Sequence, residues 1–188
     1  TLSGNGANTR NVPVSIASGG SVYNTNSGEY FCTIQSAVND AQTLNTHTLE
    51  VSPGTFNEQV LVNKSLTIKG IGMTKPVVNF TGTPGLAGGV LTVFQVTAPA
   101  VTIENLEFQV DLAKVHSAIL ASAADVDGLT VKNNDIKPYR TAALVSSFGN
   151  RNAISINYGG PTDYRVNGST PSSLLIQGNT VTYNDNST

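Results

Sequence analysis

Charge is what this sequence has least of: Asp, Glu, Lys and Arg together make up 12% of its 188 residues, about half the usual share. With a formal net charge of −2 and no run of Lys or Arg, the chain lacks the electrostatic footprint of a nucleic-acid binder. No apolar stretch approaches the ~20 residues of a membrane-spanning helix, which argues against membrane insertion. There is no Trp and one Met, and the single cysteine, Cys32, cannot form an intrachain disulfide. Cys32 follows Tyr30-Phe31 and reads as a small buried hydrophobe. No signal-peptide pattern precedes the polar, Gly/Asn-rich start at Thr1, so a leader already removed or a trimmed domain is expected. What fills the space instead is uncharged and polar: 18 Gly, 20 Asn, 22 Thr and 17 Ser. The β-branched runs between them argue against disorder.

One segment, residues 33–42, has helical periodicity. Ile34, Ala37, Val38 and Ala41 fall at i, i+3, i+4 and i+7, and Thr33 offers an N-cap hydroxyl. About ten residues cannot hold a helix alone, so this one must lie against an apolar surface. The rest reads as short strands: 48–52, 60–62, 66–69, 77–80, 90–96, 101–108, 118–121, 129–136, 142–145, 153–158 and 174–183, punctuated by Gly, Pro, Asn and Asp. Without a second helical pattern a βαβ fold is excluded, leaving sandwich, barrel or solenoid.

Internal similarity decides among these. Leu66-Thr67-Ile68-Lys69-Gly70, Val101-Thr102-Ile103-Glu104-Asn105, Leu129-Thr130-Val131-Lys132-Asn133 and Leu174-Leu175-Ile176-Gln177-Gly178 share one phrase, with starts 35, 28 and 45 residues apart. A sandwich has no reason to reuse a strand-turn phrase, whereas a coiled solenoid must, each coil occupying the same place in the cross-section. The irregular spacing then measures loops thrown out between fixed strands. Ile68, Ile103, Val131 and Ile176 should stack as one inward column, about 5 Å from coil to coil. The Gly or Asn at the bend suits a left-handed backbone, and stacked Asn side chains can hydrogen-bond along the axis.

The stretch Phe31-Cys32-Thr33-Ile34-Gln35-Ser36-Ala37-Val38, then Leu49-Glu50-Val51-Ser52-Pro53-Gly54-Thr55-Phe56 and Leu66-Thr67-Ile68-Lys69-Gly70, resembles the N-terminal start of right-handed parallel β-helix proteins of the pectin-lyase-like superfamily. The resemblance implies an all-β, right-handed parallel β-helix of about five coils. A capping helix at 33–42 would precede coils over 48–183, in a single domain spanning 1–188 and belonging to a longer bacterial protein, secreted or displayed at the cell surface. It also implies what to look for by way of chemistry. Pectin methylesterases of that superfamily carry Gln-Asp and Asp-Phe contexts and an Arg near a Trp, and this chain has none of these. Pectate lyases stack acids to hold Ca²⁺, whereas the corresponding positions here, Lys69, Glu104, Lys132 and Gln177, alternate in charge. No cofactor is expected, calcium being the one ion the resemblance would admit.

The remaining ionisable candidates are Asp125, Lys132, Asp135 and His116, the densest group being Asp125 to Arg140. They read either as acid/base groups of a polysaccharide lyase or hydrolase with a site near residues 111–140, or as a solvated loop. Tyr139, Arg140, Tyr158 and Tyr164, with Phe148 and Arg151 nearby, could offer ring faces and guanidinium groups to a glycan. His47 and His116 have no third partner for zinc. Four Asn-X-Ser/Thr sequons, at Asn63, Asn79, Asn167 and Asn186, are about the number chance provides in so Asn-, Ser- and Thr-rich a chain. Three functions follow as expectations. The first is a non-catalytic structural or carbohydrate-contacting module meeting a polysaccharide or cell-surface glycan. The others are a polysaccharide-active enzyme, and an adhesin or surface-fibre unit that self-associates through its C-terminal coil, which has no visible cover.

Overall fold

A computed structural model of the chain describes residues 21–121, 127–142, 151–156 and 173–183. The structure is all-β apart from one short helix and a 3₁₀ turn at Ala87–Gly89, and its sheets are mostly parallel. Two short strands, β1 (Val22–Asn24) and β2 (Glu29–Phe31), form an antiparallel hairpin; helix α1 (Ile34–Asn39) follows. The chain then makes successive circuits, laying one strand in each of three sheets. The first circuit is β3 (Thr48–Val51), β4 (Thr55–Asn57) and β5 (Val60–Val62). The second is β6 (Thr67–Gly70), β7 (Val77–Asn79) and β8 (Thr92–Val96); the third is β9 (Thr102–Glu104), β10 (Glu107–Asp111) and β11 (Ser117–Ala121). The fourth is β12 (Thr130–Lys132), β13 (Asp135–Tyr139) and β14 (Asn152–Ile156), and β15 (Leu175–Gln177) and β16 (Thr180–Val181) follow. Each strand from β6 on pairs in parallel with the strand three places earlier. Sheet A runs β15-β12-β9-β6-β3-β1-β2, sheet B β16-β13-β10-β7-β4, and sheet C β14-β11-β8-β5.

The period-2 pattern sends alternate residues inward, and pairing in register stacks them. On sheet A the column is Leu49, Ile68, Ile103, Val131 and Ile176. The first four are fully buried; Ile176 shares their register but is 47% exposed, because among the described residues nothing covers β15 on its far side. Sheet B stacks Phe56, Val78, Phe108, Ile136 and Val181, and sheet C stacks Val60, Phe94, Ile119 and Ile154. Phe94 and Phe108 meet edge to face, 5.1 Å between ring centroids, joining columns of different sheets. Each buried aliphatic or aromatic side chain contributes about 1.5–3 kcal/mol, so these columns are the main source of cohesion.

Outside, sheet A presents a second column, Tyr30, Tyr23, Glu50, Lys69, Glu104, Lys132 and Gln177. The tyrosine rings stack at 4.5 Å, and the charges pair as Glu50–Lys69 (3.0 Å) and Glu104–Lys132 (3.1 Å). Like charges facing each other across adjacent strands would repel, and the alternation avoids it.

The corner between sheets A and B is held by asparagine. Asn105 and Asn133 take left-handed φ values of 57° and 58°, and Gly178 takes 64° at the equivalent position. Gly70 differs: it remains the extended last residue of β6, with no room for a Cβ because the Asn105 carbonyl oxygen and the Pro76 ring lie against it. Asn105 Nδ2 donates to the Gly70 carbonyl (2.8 Å). One residue further, fully buried Asn134 donates from Nδ2 to the Ile103 carbonyl (3.0 Å) and to Asn179 Oδ1 (3.0 Å), and its Oδ1 accepts from Leu106 N (3.0 Å). Asn179 repeats the pattern on the Val131 carbonyl (2.8 Å). These bonds run along the stacking direction, as the repeated Asn anticipates.

The expected helix at 33–42 is shorter than its periodicity suggests. Thr33 Oγ1 caps it by accepting from Ser36 N (3.0 Å), but the helix stops at Asn39. There the Asp40 carboxylate accepts from Gln42 N (2.7 Å) and Thr43 N (3.1 Å), turning the chain and leaving Ala41 exposed rather than in the core. Ile34, Ala37 and Val38 are buried, and α1 packs on β5, β1 and β2. Gln35 does for the free edge of β5 what a neighbouring strand would do: its Oε1 accepts from Leu61 N (2.6 Å), and its Nε2 donates to the Leu61 carbonyl (3.4 Å). Glu58 accepts from the first two helix amides, Ile34 N and Gln35 N, both at 2.8 Å. Cys32 is exposed, against expectation, because it sits in the bend between β2 and the helix cap rather than on an inward position.

Burial pushes the Glu58 carboxyl above its ordinary value of 4.5, outweighing the two amide donors that lower it. The folded state therefore holds this proton more tightly than the unfolded chain. The resulting stability is fully present below 4.5 and is lost as pH rises through the folded value. Urea midpoints measured from about pH 4 to about pH 8 should decline more for the parent than for Glu58→Gln, which does not titrate. Parallel profiles for the two proteins would refute this.

Other boundaries also differ from expectation. The runs 101–108 and 129–136 are each two strands, β9–β10 and β12–β13, because the left-handed Asn turns the corner without interrupting the apolar alternation. β1, β2 and β4 lie outside the runs expected to be strands. The expected strand 142–145 lies mostly outside the described residues.

Candidate functional site on the outer face of sheet B

The outward positions of sheet B form two rows, polar except at Val77. Asn57, Asn79, Gln109 and Lys137 are in register across β4, β7, β10 and β13; Val77, Glu107, Asp135 and Thr180 form the other. Every ionised group here has a partner. Lys137 Nζ meets Glu107 Oε2 at 2.6 Å, the other Glu107 oxygen accepts from Gln109 Nε2 (2.9 Å), and Asp135 pairs with Lys75 at 2.7 Å. Asn57 exchanges two hydrogen bonds with Thr81, donating to its Oγ1 (2.7 Å) and accepting from its N (2.9 Å). Lys114 Nζ donates to the Thr81 carbonyl.

Tyr139, at the end of β13, lies half-buried on this face, and its hydroxyl donates to Asn79 Oδ1 (3.2 Å) two circuits away. Its pKa is raised by burial and then by the nearby Asp111 carboxylate. Asp111, 1% exposed, is bound up in structure: Oδ1 accepts from Ala113 N (3.0 Å) and Thr141 N (3.2 Å), and Oδ2 from the Thr141 hydroxyl. It ties the β10–β11 turn to the chain leaving β13. Beside it a cavity of about 230 Å³ opens between sheets B and C, walled by Val110, Ile136, Pro138 and Val181 with Arg151 and Tyr183 among its lining. Arg151 Nε donates to the Leu112 carbonyl (3.4 Å).

The sequence candidates are dispersed. Asp135 and Tyr139 share the outer face of β13, and half-buried Arg140 follows them. Lys132 belongs to sheet A, paired with Glu104, although it lies only three positions before Asp135. His116 stands at the start of β11 on sheet C, half-buried, its pKa lowered by desolvation and then by the Arg151 charge. Lys132, Asp135 and Tyr139 thus lie on strands, which corrects the reading of this region as a solvated loop: the corner at Asn133 carries the chain from one sheet directly into the next. Asp125, Tyr158 and Tyr164 lie outside the described residues. Among the described residues no three His, Cys, Asp or Glu side chains converge as a metal site, and no helix is long and apolar enough to cross a membrane.

Sequence reading missed Asn57, Asn79, Glu107, Gln109 and Asp111. The signal was present: aligning the repeats one strand further on sets Thr55-Phe56-Asn57, Val77-Val78-Asn79, Glu107-Phe108-Gln109 and Asp135-Ile136-Lys137 over one another.

No family model matches the chain, and no solved structure matches it. Over 57 residues, 30% of this chain, it is 42% identical to a cell surface glycoprotein of Methanothermus fervidus, and the match covers a tenth of that protein's length.

Proposed function

We propose that the chain is a single-domain, non-catalytic module of a surface-displayed protein, built as a right-handed parallel β-helix of the pectin-lyase-like kind, whose outer sheet B face meets a polysaccharide. Sheets visited in constant order by parallel strands support the solenoid, and the strong preference of parallel crossovers for one hand supports right-handedness. Surface display rests on the name of the partial relative. One observation carries the functional reading: among the described residues the candidate acid/base groups Lys132, Asp135 and His116 belong to different sheets and Lys132 and Asp135 are each held in an ion pair, while amide groups and Tyr139 share one face. Amides and a ring face are the groups with which proteins hold neutral sugars.

A glycan array run beside a polysaccharide-degradation screen tests this. Tyr139→Ala combined with Gln109→Ala should weaken glycan binding about tenfold, roughly 1.4 kcal/mol. Asp135→Asn and His116→Ala should leave it within a few-fold. Cleavage of a polysaccharide by the parent and not by Asp135→Asn would replace the module by an enzyme.

A second reading, self-association, is favoured by the exposed apolar residues of the β15–β16 layer: Leu175 (42%), Ile176 (47%), Val181 (56%) and Tyr183 (46%). A second copy stacking there would continue the columns. Light scattering across a wide concentration range should then show association that Leu175→Lys with Ile176→Asp abolishes.

A further inference from the structure

The four sequons are indistinguishable by sequence, but the structure separates the two that lie among its described residues. A glycosyl acceptor must offer two groups, the Asn amide and the hydroxyl two residues on. In Asn79-Phe80-Thr81 both side chains are tied into the sheet's own hydrogen bonds: Asn79 Oδ1 accepts from the Tyr139 hydroxyl (3.2 Å), and Thr81 Oγ1 accepts from Asn57 Nδ2 (2.7 Å), so neither can turn toward an incoming donor without breaking a bond. Asn79 is also half-buried on β7, an interior strand of sheet B, with Phe80 turned into the core.

Asn63-Lys64-Ser65 is the opposite case. It forms the turn from β5 to β6, where Asn63 is exposed, and neither its amide nor the Ser65 hydroxyl makes a side-chain hydrogen bond among the described residues. The turn is nonetheless anchored at the two residues that follow that amide. Lys64 Nζ donates to the Asp40 and Thr43 carbonyls, both at 2.7 Å, so its long side chain is pinned to the turn that follows α1. Ser65 N donates to Asn45 Oδ1 (3.0 Å), and the Ser65 carbonyl accepts from Thr46 N (2.6 Å). Rigid neighbours present the amide at a fixed corner without using it.

We propose that Asn63 is an N-glycosylation site selected by the folded geometry, and that Asn79 is not used. The step transfers an oligosaccharide from a polyprenyl-phosphate-linked donor. Asn63 Nδ2 forms the new bond to the anomeric carbon, the anomeric C–O bond to the phosphate breaks, the lipid phosphate leaves with the electron pair, and one amide proton is lost. Nothing is oxidised or reduced. The site rests on surface display, since that is where such a donor is met.

The experiment recovers the full-length protein from its producing cells after fractionation into surface and internal material, and maps glycopeptides by mass spectrometry. The expected result is surface protein carrying glycan on the peptide containing Asn63, with the Asn79 peptide bare. Modification should vanish in Asn63→Gln and Ser65→Ala and return in Ser65→Thr. Surface protein with a bare Asn63 overturns the site while leaving surface display intact, and internal, unmodified protein overturns both. Equal occupancy of Asn63 and Asn79 overturns selection by the fold.

Discussion

Val38→Asp is expected to lower stability by about 3 kcal/mol or more, because it places an unpaired carboxylate in the contact between α1 and β5 or forces the helix off it. Val38 is fully buried, and no basic side chain stands in the last turn of the helix to receive the charge. In a chain of this size each kcal/mol moves the thermal midpoint by about 2–4 °C, so the loss should be plain in a melt followed by circular dichroism. Undocking would also withdraw Gln35 from Leu61 and leave the edge of β5 bare, so the variant should aggregate on heating sooner than the parent. Ala41→Asp, in the exposed turn just beyond, is the control and should be silent. Should Val38→Asp melt with the parent, α1 is not a structural cap.

The second large effect is expected at Asn134. Asn134→Leu keeps the bulk roughly constant but removes the acceptor for Leu106 N and the donor to the Ile103 carbonyl, in a place where water does not reach. Leaving a buried backbone group unsatisfied costs about 1–3 kcal/mol, so the pair should cost about 2–6 kcal/mol in urea unfolding. Asn133→Gly, at the neighbouring left-handed position, should by contrast be close to neutral, since glycine adopts that conformation without strain. A neutral Asn134→Leu would mean that the axial asparagines decorate the corner rather than hold it.

The inward columns are legible in the sequence because burial on one face of a strand leaves a period of two, and repetition in register leaves the same phrase three or four times over. Ile68, Ile103, Val131 and Ile176 fall into one column from that phrase alone, and the strand register agrees. Corners are less legible. Alternation runs through Asn105 and Asn133 undisturbed, so a bend made by φ alone looks like one long strand. Phe56 is hidden for a different reason: β4 is three residues long and follows Pro53-Gly54, and only its register beneath Val78 shows it to be a strand. The helix ends early because the Asp40 carboxylate competes for the backbone, an effect apolar periodicity does not register. The candidate site is the least legible part. Its defining contact, Tyr139 to Asn79, spans 60 residues, and buried Asp111 resembles any surface aspartate until Thr141 is seen folded onto it.

The charge column on sheet A has a consequence for how such a chain can lengthen or shorten. Its core repeats with every circuit, but its outer ladder repeats with every second one. Excising residues 67–101 would set Ile103 on Leu49, which the interior accepts, and at the same time set Glu104 against Glu50. Excising residues 67–129 would set Val131 on Leu49 and Lys132 against Glu50, restoring attraction. The difference, about 0.2–1 kcal/mol for each facing pair, is small beside the core. Over many duplications it would nonetheless favour gains and losses of circuits by twos, leaving a parity rule written on the outside of a fold whose inside has none.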